Sequence, residues 1–417
     1  MEYILKTIAV VSLLCIILAF SIKHLTEYFE LKVFTWVQSH NPLIFIVLPT
    51  IGITMIYFLR KYAFRNRKNK GITEIYKTLD HRKDHLPLFK VPSHYINGFL
   101  TVIFGGSTGV EVSTVVATAT LGNLTYKRNF SAKMYKRELI CAGVTAGIAI
   151  LFNSPMAGWL FALEVIARRL SRSILLSCTL SALIAWGFIL LFDHTSLFSF
   201  ATKGWEWAAL PYFLLVSLLG GVLSVYFTGL VLFVKRFFSG ISNNFIRVNL
   251  GALLVGGMLF LYPTLYGDSY HGLKEIMEQS MVGMSSPWLT SLLLLVFLKP
   301  LAASLTLGAG GDGGVFAPSI VSGAFLGILV AGLCNTYLGT DLILINFALA
   351  GMAATLSAAI HAPFTALFLV CGLIPNGFVL FLPILFVSVA AKLFAQYILP
   401  YNVYTYDFFV QGKTMRR

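Results

Sequence analysis

Long apolar runs, nearly free of charge, cover residues 8–20, 43–58, 174–191, 213–234, 250–261, 289–297, 342–359 and 378–393. A helix crossing a bilayer needs about 20 mostly apolar residues. Several runs are shorter than that, or are cut by Gly and Pro. The pattern therefore predicts a polytopic all-α membrane protein with tilted, broken and re-entrant helices. A first helix is expected over residues 1–30 and a second span over 43–59, cut by Pro49 and Gly52. A basic segment follows, then a linker over 86–91 with Pro87 inside it, and a short helix over 95–104. Residues 141–167 form a small-residue helix broken at Pro155. An external stretch is expected around 194–207.

The polar positions are most telling at Gly105-Gly-Ser-Thr-Gly109-Val110-Glu111-Val-Ser-Thr114, followed by a small, uncharged run to Gly122. This reads as a glycine loop entering a helix, with Glu111 at its first turn. A helix N-terminus carries free N–H groups and partial positive charge, so it attracts anions. In water Glu111 would be an ordinary electrostatic cap. At membrane depth, where non-helical backbone persists only if protein or a watery cavity covers it, Glu111 becomes a tethered competitor for an anion site.

The second half repeats these features. Ala350-Gly351 through Pro363 matches Ala142-Gly143 through Pro155 without a gap, since 350 − 142 and 363 − 155 are both 208. Gly314-Val315-Phe316-Ala317-Pro318 pairs with Gly109-Val110-Glu111-Val112-Ser113. Each loop follows a Gly-rich run and feeds a small apolar helix ending in Gly122 or Gly327. Tandem repeats with paired broken helices mark transport folds, whose substrate site lies at the repeat interface near the midplane. Two helix N-termini aimed at one place favour an anion. The repeats are expected at about 40–200 and 208–405 within a single domain spanning 1–417.

Composition agrees. The 417 residues are 57% hydrophobic and 12% charged, against roughly 25% charged in soluble chains, and the mean hydropathy is +0.81. The net charge of +14 does not call for nucleic acid, because the Lys and Arg cluster between the spans, above all over residues 60–90. The positive-inside rule places that segment in the cytoplasm, and Lys413, Arg416 and Arg417 place the C-terminus there too. Five separated cysteines show neither a disulfide frame nor metal spacing. The N-terminal stretch has no small-residue cleavage site and reads as a retained helix. Neither a metal nor a cofactor is expected. No His-Glu-x-x-His is present, and His361 beside Pro363 reads as a structural histidine, so an intramembrane enzyme is not expected.

At these residues the chain resembles the CLC chloride channel and transporter family, over roughly residues 40–410. Gly109-Val110-Glu111 is similar to the family's glycine–x–glutamate motif, which implies that Glu111 is the external gate. Val112-Ser113 stands where Gly-Pro is usual. Gly314-Val315-Phe316-Ala317-Pro318 matches the second anion loop, which implies anion binding by the Val315 and Phe316 N–H groups. Asn153-Ser-Pro155 through Glu164 and Ala362-Pro363-Phe-Thr365 match two further segments. The coordinating tyrosine carries over to Tyr404, with Tyr406 as the alternative. In the first anion loop, Asn69-Lys70-Gly71-Ile72-Thr73-Glu74 places Lys70, or Asn69, at the usual serine.

Where exchangers of the family commonly carry a second, proton-receiving glutamate, this chain has Val165. Passive channels also carry valine there, so a passive chloride or related small-anion channel is expected. A proton-coupled antiporter and a fluoride exporter remain the alternatives. Glu164 is expected to have a structural role, paired with Arg168 one turn on. The resemblance further implies an inverted repeat, a homodimer with a pore in each subunit, contact with lipid, and a multi-pass location in the cell (inner) membrane. The end at Arg417 implies that the family's cytoplasmic regulatory pair is absent.

Overall fold

The computed structural model describes residues 2–65, 67, 69–80, 84–128, 135–167, 170–193, 197–202, 204–283 and 285–412. Among them there is no β-strand. Eight helices are long and apolar enough to cross a membrane. Helix α1 (Glu2–His40) runs ten residues past the expected end, because nothing breaks it before Asn41-Pro42. Then come α2 (Ile44–Phe58), which contains Pro49 and continues into a π turn, and the short α3 (Ile72–Asp80). Helix α4 (Lys90–Ile103) starts earlier than expected, since Pro92 falls within its first turn, where its missing N–H costs nothing.

Helices α5 (Glu111–Arg128) and α6 (Lys136–Leu151) pack face to face, as do α13 (Phe316–Leu338) and α14 (Leu344–Ile360). The two pairs obey one rule. Gly122 lies against the Leu139 carbonyl and Gly143 against the Thr118 carbonyl. In the second pair Gly327 lies against the Phe347 carbonyl and Gly351 against the Gly323 carbonyl. A methyl group at any of these glycines would strike a backbone oxygen, so glycine is what lets each helix pair approach. Helix α5 is too polar to face lipid, yet it is satisfied inside. Thr114, Thr118 and Thr120 each donate back to the carbonyl four residues earlier, at 3.0, 2.8 and 2.6 Å.

The predicted breaks occur at equivalent points. Helix α6 ends at a left-handed Asn153 (φ 49°) before α7 (Pro155–Phe161), and α14 ends at a left-handed His361 (φ 58°) before α15 (Pro363–Gly372). Both prolines occupy first-turn positions, where no intrahelical N–H is needed. Between these blocks lie α8 (Arg172–Phe192), α9 (Leu210–Ser239), α10 (Asn244–Leu261), α11 (Tyr270–Val282) and α12 (Ser286–Ala309). The chain closes with α16 (Phe381–Ile398) and the short α17 (Tyr406–Val410). Helix α13 is the central post. Its most apolar window is 94% buried, against 33% for α2 and α10.

Glu164 and Val165 lie on the π turn after α7. The expected partner of Glu164, Arg168, lies outside the described residues, as do Lys413, Arg416, Arg417 and part of the stretch around 194–207. Glu164 has a different set of partners. It accepts from the Thr365 N–H (2.9 Å), the Thr365 hydroxyl (2.8 Å) and the Phe364 N–H (3.4 Å). It thereby caps α15 from the opposite repeat.

Candidate functional site

Two glycine loops meet at the centre, and they arrive from opposite sides. The loop after α4 turns at Gly105 (φ 80°), and the loop after α12 turns at Gly310 (φ 109°). The first is anchored from the side facing away from the basic segment. Fully buried Lys299 of α12 donates to the Ser107 hydroxyl (2.9 Å), the Gly267 carbonyl (3.0 Å) and the Ser269 hydroxyl (2.7 Å). The second is anchored by Arg60, next to the basic segment, which donates to the Gly310 carbonyl (2.7 Å). Each loop thus has one cation behind it, Lys299 fully buried and Arg60 half-buried.

Glu111 opens α5 and is 4% exposed. Its carboxylate folds back over the loop, so close to Gly109 that any side chain there would collide with it. Oε1 accepts from the Tyr270 hydroxyl at 3.2 Å, while buried Oε2 has no hydrogen-bond partner among the described residues. A cavity of about 270 Å³ reaches this carboxylate and is lined also by Lys23, Glu27, Asp268 and Lys274. Glu111 and Val110 line its floor; Val315, Phe316 and Tyr404 do not line it.

Beneath it, Tyr404 is set by an Asx turn. Asn402 Oδ1 accepts from the Tyr404 N–H (3.0 Å) and the Thr405 N–H (3.1 Å), and Thr73 of α3 donates to the Tyr404 carbonyl (3.3 Å). The Tyr404 hydroxyl accepts from the Val315 N–H at 3.4 Å, at the start of α13. Tyr406 points elsewhere, its hydroxyl taking a bond from Arg236 (3.3 Å). The structure thus brings Glu111, Gly314, Val315, Phe316 and Tyr404 together around the N-termini of α5 and α13. It leaves Lys70 exposed, its backbone N–H donating to the Glu74 carboxylate (3.2 Å). Asn69 donates to Ser93 (2.9 Å). Val165 is 6% exposed.

Sequence reasoning missed Lys299, Tyr270 and Asp312. An ionisable residue in an apolar run is itself a functional pointer, and Lys299 and Asp312 both met that test. Asp312, within the second glycine loop, accepts from Ser113 (3.4 Å) and lies 3.0 Å from His94 Nδ1. Ser113, at the position where proline is usual, therefore ties the first turn of α5 to the second loop. Nothing in the linear pattern pointed to Tyr270.

Residues 51–396 match the family described as voltage gated chloride channel. The chain belongs to the voltage-gated chloride channel family. Its similarity to the voltage-gated ClC-type chloride channel ClcB of Salmonella typhimurium is 29% identity, covering 65% of each chain. The alignment thus spans about two thirds of that relative's length. With the H(+)/Cl(-) exchange transporter ClcA of Vibrio vulnificus it shares 27% identity over 82% of this chain and 74% of the relative. Among solved structures, a CLC-type fluoride/proton antiporter superposes with a TM-score of 0.79 at 24% identity, covering 97% of this chain and 98% of the other. A slow cyanobacterial Cl-/H+ antiporter gives 0.79 at 22%, covering 99% of both. These superpositions show that the CLC fold extends over almost the whole chain. This family member is thus a multi-pass membrane protein with a CLC-type inverted repeat.

Proposed function

We propose that this CLC-family protein conducts chloride or a related small anion across the cell membrane, past a gate formed by Glu111. The observation that supports this reading is the Glu111 carboxylate at the positive end of α5, lining a cavity that does not reach Val315 or Tyr404. Helix N-termini favour negative charge, so the same place suits an incoming anion once the carboxylate leaves. The Val315 and Phe316 N–H groups and the Tyr404 hydroxyl are the donors that would receive it. Chloride conduction is what ClcB is named for. The proposal includes assembly as a homodimer, testable by crosslinking in membranes.

Flow is passive in this reading. Val165 has no proton to give, and Glu164 beside it is committed to capping α15. A second reading, proton-coupled exchange, is favoured by one observation: the external cavity stops at a titratable carboxylate and does not continue to Tyr404. An exchange transporter is also among the relatives. Proteoliposomes under a chloride gradient, with a pH electrode outside, separate the two. Fast chloride efflux with a potassium ionophore and no proton movement supports the channel. Uphill proton movement driven by chloride establishes the exchanger. Absence of chloride, fluoride and nitrate movement would sink both.

A further inference from the structure

Next after Glu111 in the first turn of α5, where a glycine is usual in the family, this chain has Val112. Its side chain is 2% exposed and stands where three helix starts converge. Cγ1 would touch a methyl group built on Gly71, the residue before α3, at 3.5 Å. Cγ2 lies so close to Gly314, two residues before α13, that no side chain could stand there. The Tyr404 hydroxyl is 3.1 Å from that same Gly314 position. The isopropyl group therefore packs on Gly314, beside the Tyr404 hydroxyl and the Val315 N–H that bond each other.

We propose that Val112 is the constriction that sets which anions pass: a stiff apolar collar that admits small monatomic anions and holds back larger polyatomic ones. This deepens the anion-conduction reading and rests on it. The stiffness follows from chemistry. A β-branched residue in a helix has one strongly preferred χ1 rotamer, so Val112 cannot swing aside as Glu111 can. Both of its methyls are backed by glycine backbone, which has no side chain to yield. Apolar constrictions oppose ion passage because they offer nothing in place of the water an ion must shed. An ion crossing here is therefore limited by the width beside the isopropyl group, and that width is set by one side chain.

The test compares chloride, nitrate and thiocyanate flux in proteoliposomes for the full chain and for Val112→Ala, Val112→Gly and Val112→Ile, each checked as monodisperse by gel filtration. The wild type is expected to prefer chloride to thiocyanate. Val112→Ala and Val112→Gly should raise thiocyanate and nitrate flux relative to chloride by fivefold or more. Val112→Ile, which adds one methylene, should lower both ratios and serves if the smaller residues do not fold. Wild-type chloride flux with unchanged ratios in the variants would overturn this inference and leave the conduction reading standing. No flux of any anion, in wild type or variants, would overturn both.

Discussion

Thr101 and Thr306 each accept a hydrogen bond from the glycine loop of the opposite repeat. The Asp312 N–H donates to the Thr101 hydroxyl at 2.9 Å, and the Ser107 N–H donates to the Thr306 hydroxyl at 3.1 Å. Both threonines also pass a backbone bond to their own loop, from Gly106 to Thr101 (2.7 Å) and from Gly311 to Thr306 (2.9 Å). The spacing is constant: 306 − 101, 312 − 107 and 311 − 106 are all 205. Each repeat thus accepts from the other with the same residue type, as in an isologous twofold interface.

Because each hydroxyl satisfies a buried N–H, Thr101→Val and Thr306→Val should each cost about 1–3 kcal/mol. The pseudo-symmetry makes the two losses similar. Thermal unfolding in detergent of both single variants and the double variant checks this. A large loss in one and none in the other would contradict a shared structural role.

Glu111→Gln should give anion flux that no longer varies with external pH, because the amide cannot be protonated or charged. Tyr270→Phe removes the hydroxyl bonded to Oε1. A hydrogen bond to a charged group contributes about 1.5–3 kcal/mol, so its loss should raise flux by roughly tenfold or more at neutral pH. In the Glu111→Gln background the Tyr270 effect should shrink. Flux measured against external pH in the four proteins decides it, and retained pH dependence in Glu111→Gln would remove Glu111 from the gate.

Glu164 is a cap for α15 in this structure. Glu164→Ala should destabilise the protein by about 1–3 kcal/mol, the cost of leaving the Thr365 N–H and hydroxyl unpaired. Any proton coupling seen in wild-type liposomes should survive the substitution. Loss of coupling without loss of stability would instead make Glu164 a proton carrier.

At the outer ends of the helices, Lys23 of α1 donates to Asp193 (2.7 Å) just past α8 and to Asn153 (2.8 Å) at the α6–α7 break. Burial alone would raise the Asp193 carboxyl, but the Lys23 ammonium and the Asn153 amide outweigh it and hold it below its usual value. A carboxyl depressed by folding stabilises the native state above its unfolded value and loses that contribution as the pH falls through its folded value. Asp193→Asn should therefore lower the thermal midpoint at neutral pH. The difference from wild type should close below about pH 3.9, the unfolded-chain value for Asp. A constant difference down to acid pH would rule out the ion pair as the cause.

Much of this protein was legible in its linear order. Apolar runs and glycine breaks predict a membrane bundle because lipid tolerates no exposed backbone, and a 208-residue repeat of the Pro155 break predicts its duplication. Gly109, Glu111, Gly314 and Val315 were legible because a loop feeding a helix N-terminus is a local feature. Other relationships required the tertiary structure. The choice of Tyr404 over Tyr406 depends on where an Asx turn aims two side chains only two residues apart. The latch from Tyr270 to Glu111 joins residues 159 apart, and the cap from Glu164 to Thr365 joins residues 201 apart. The burial of Lys299 behind the first loop, and of Val112 among three helix starts, has the same origin. Hydrophobic period and turn chemistry act over a few residues; which helix N-termini converge on a point is decided only when the two halves pack.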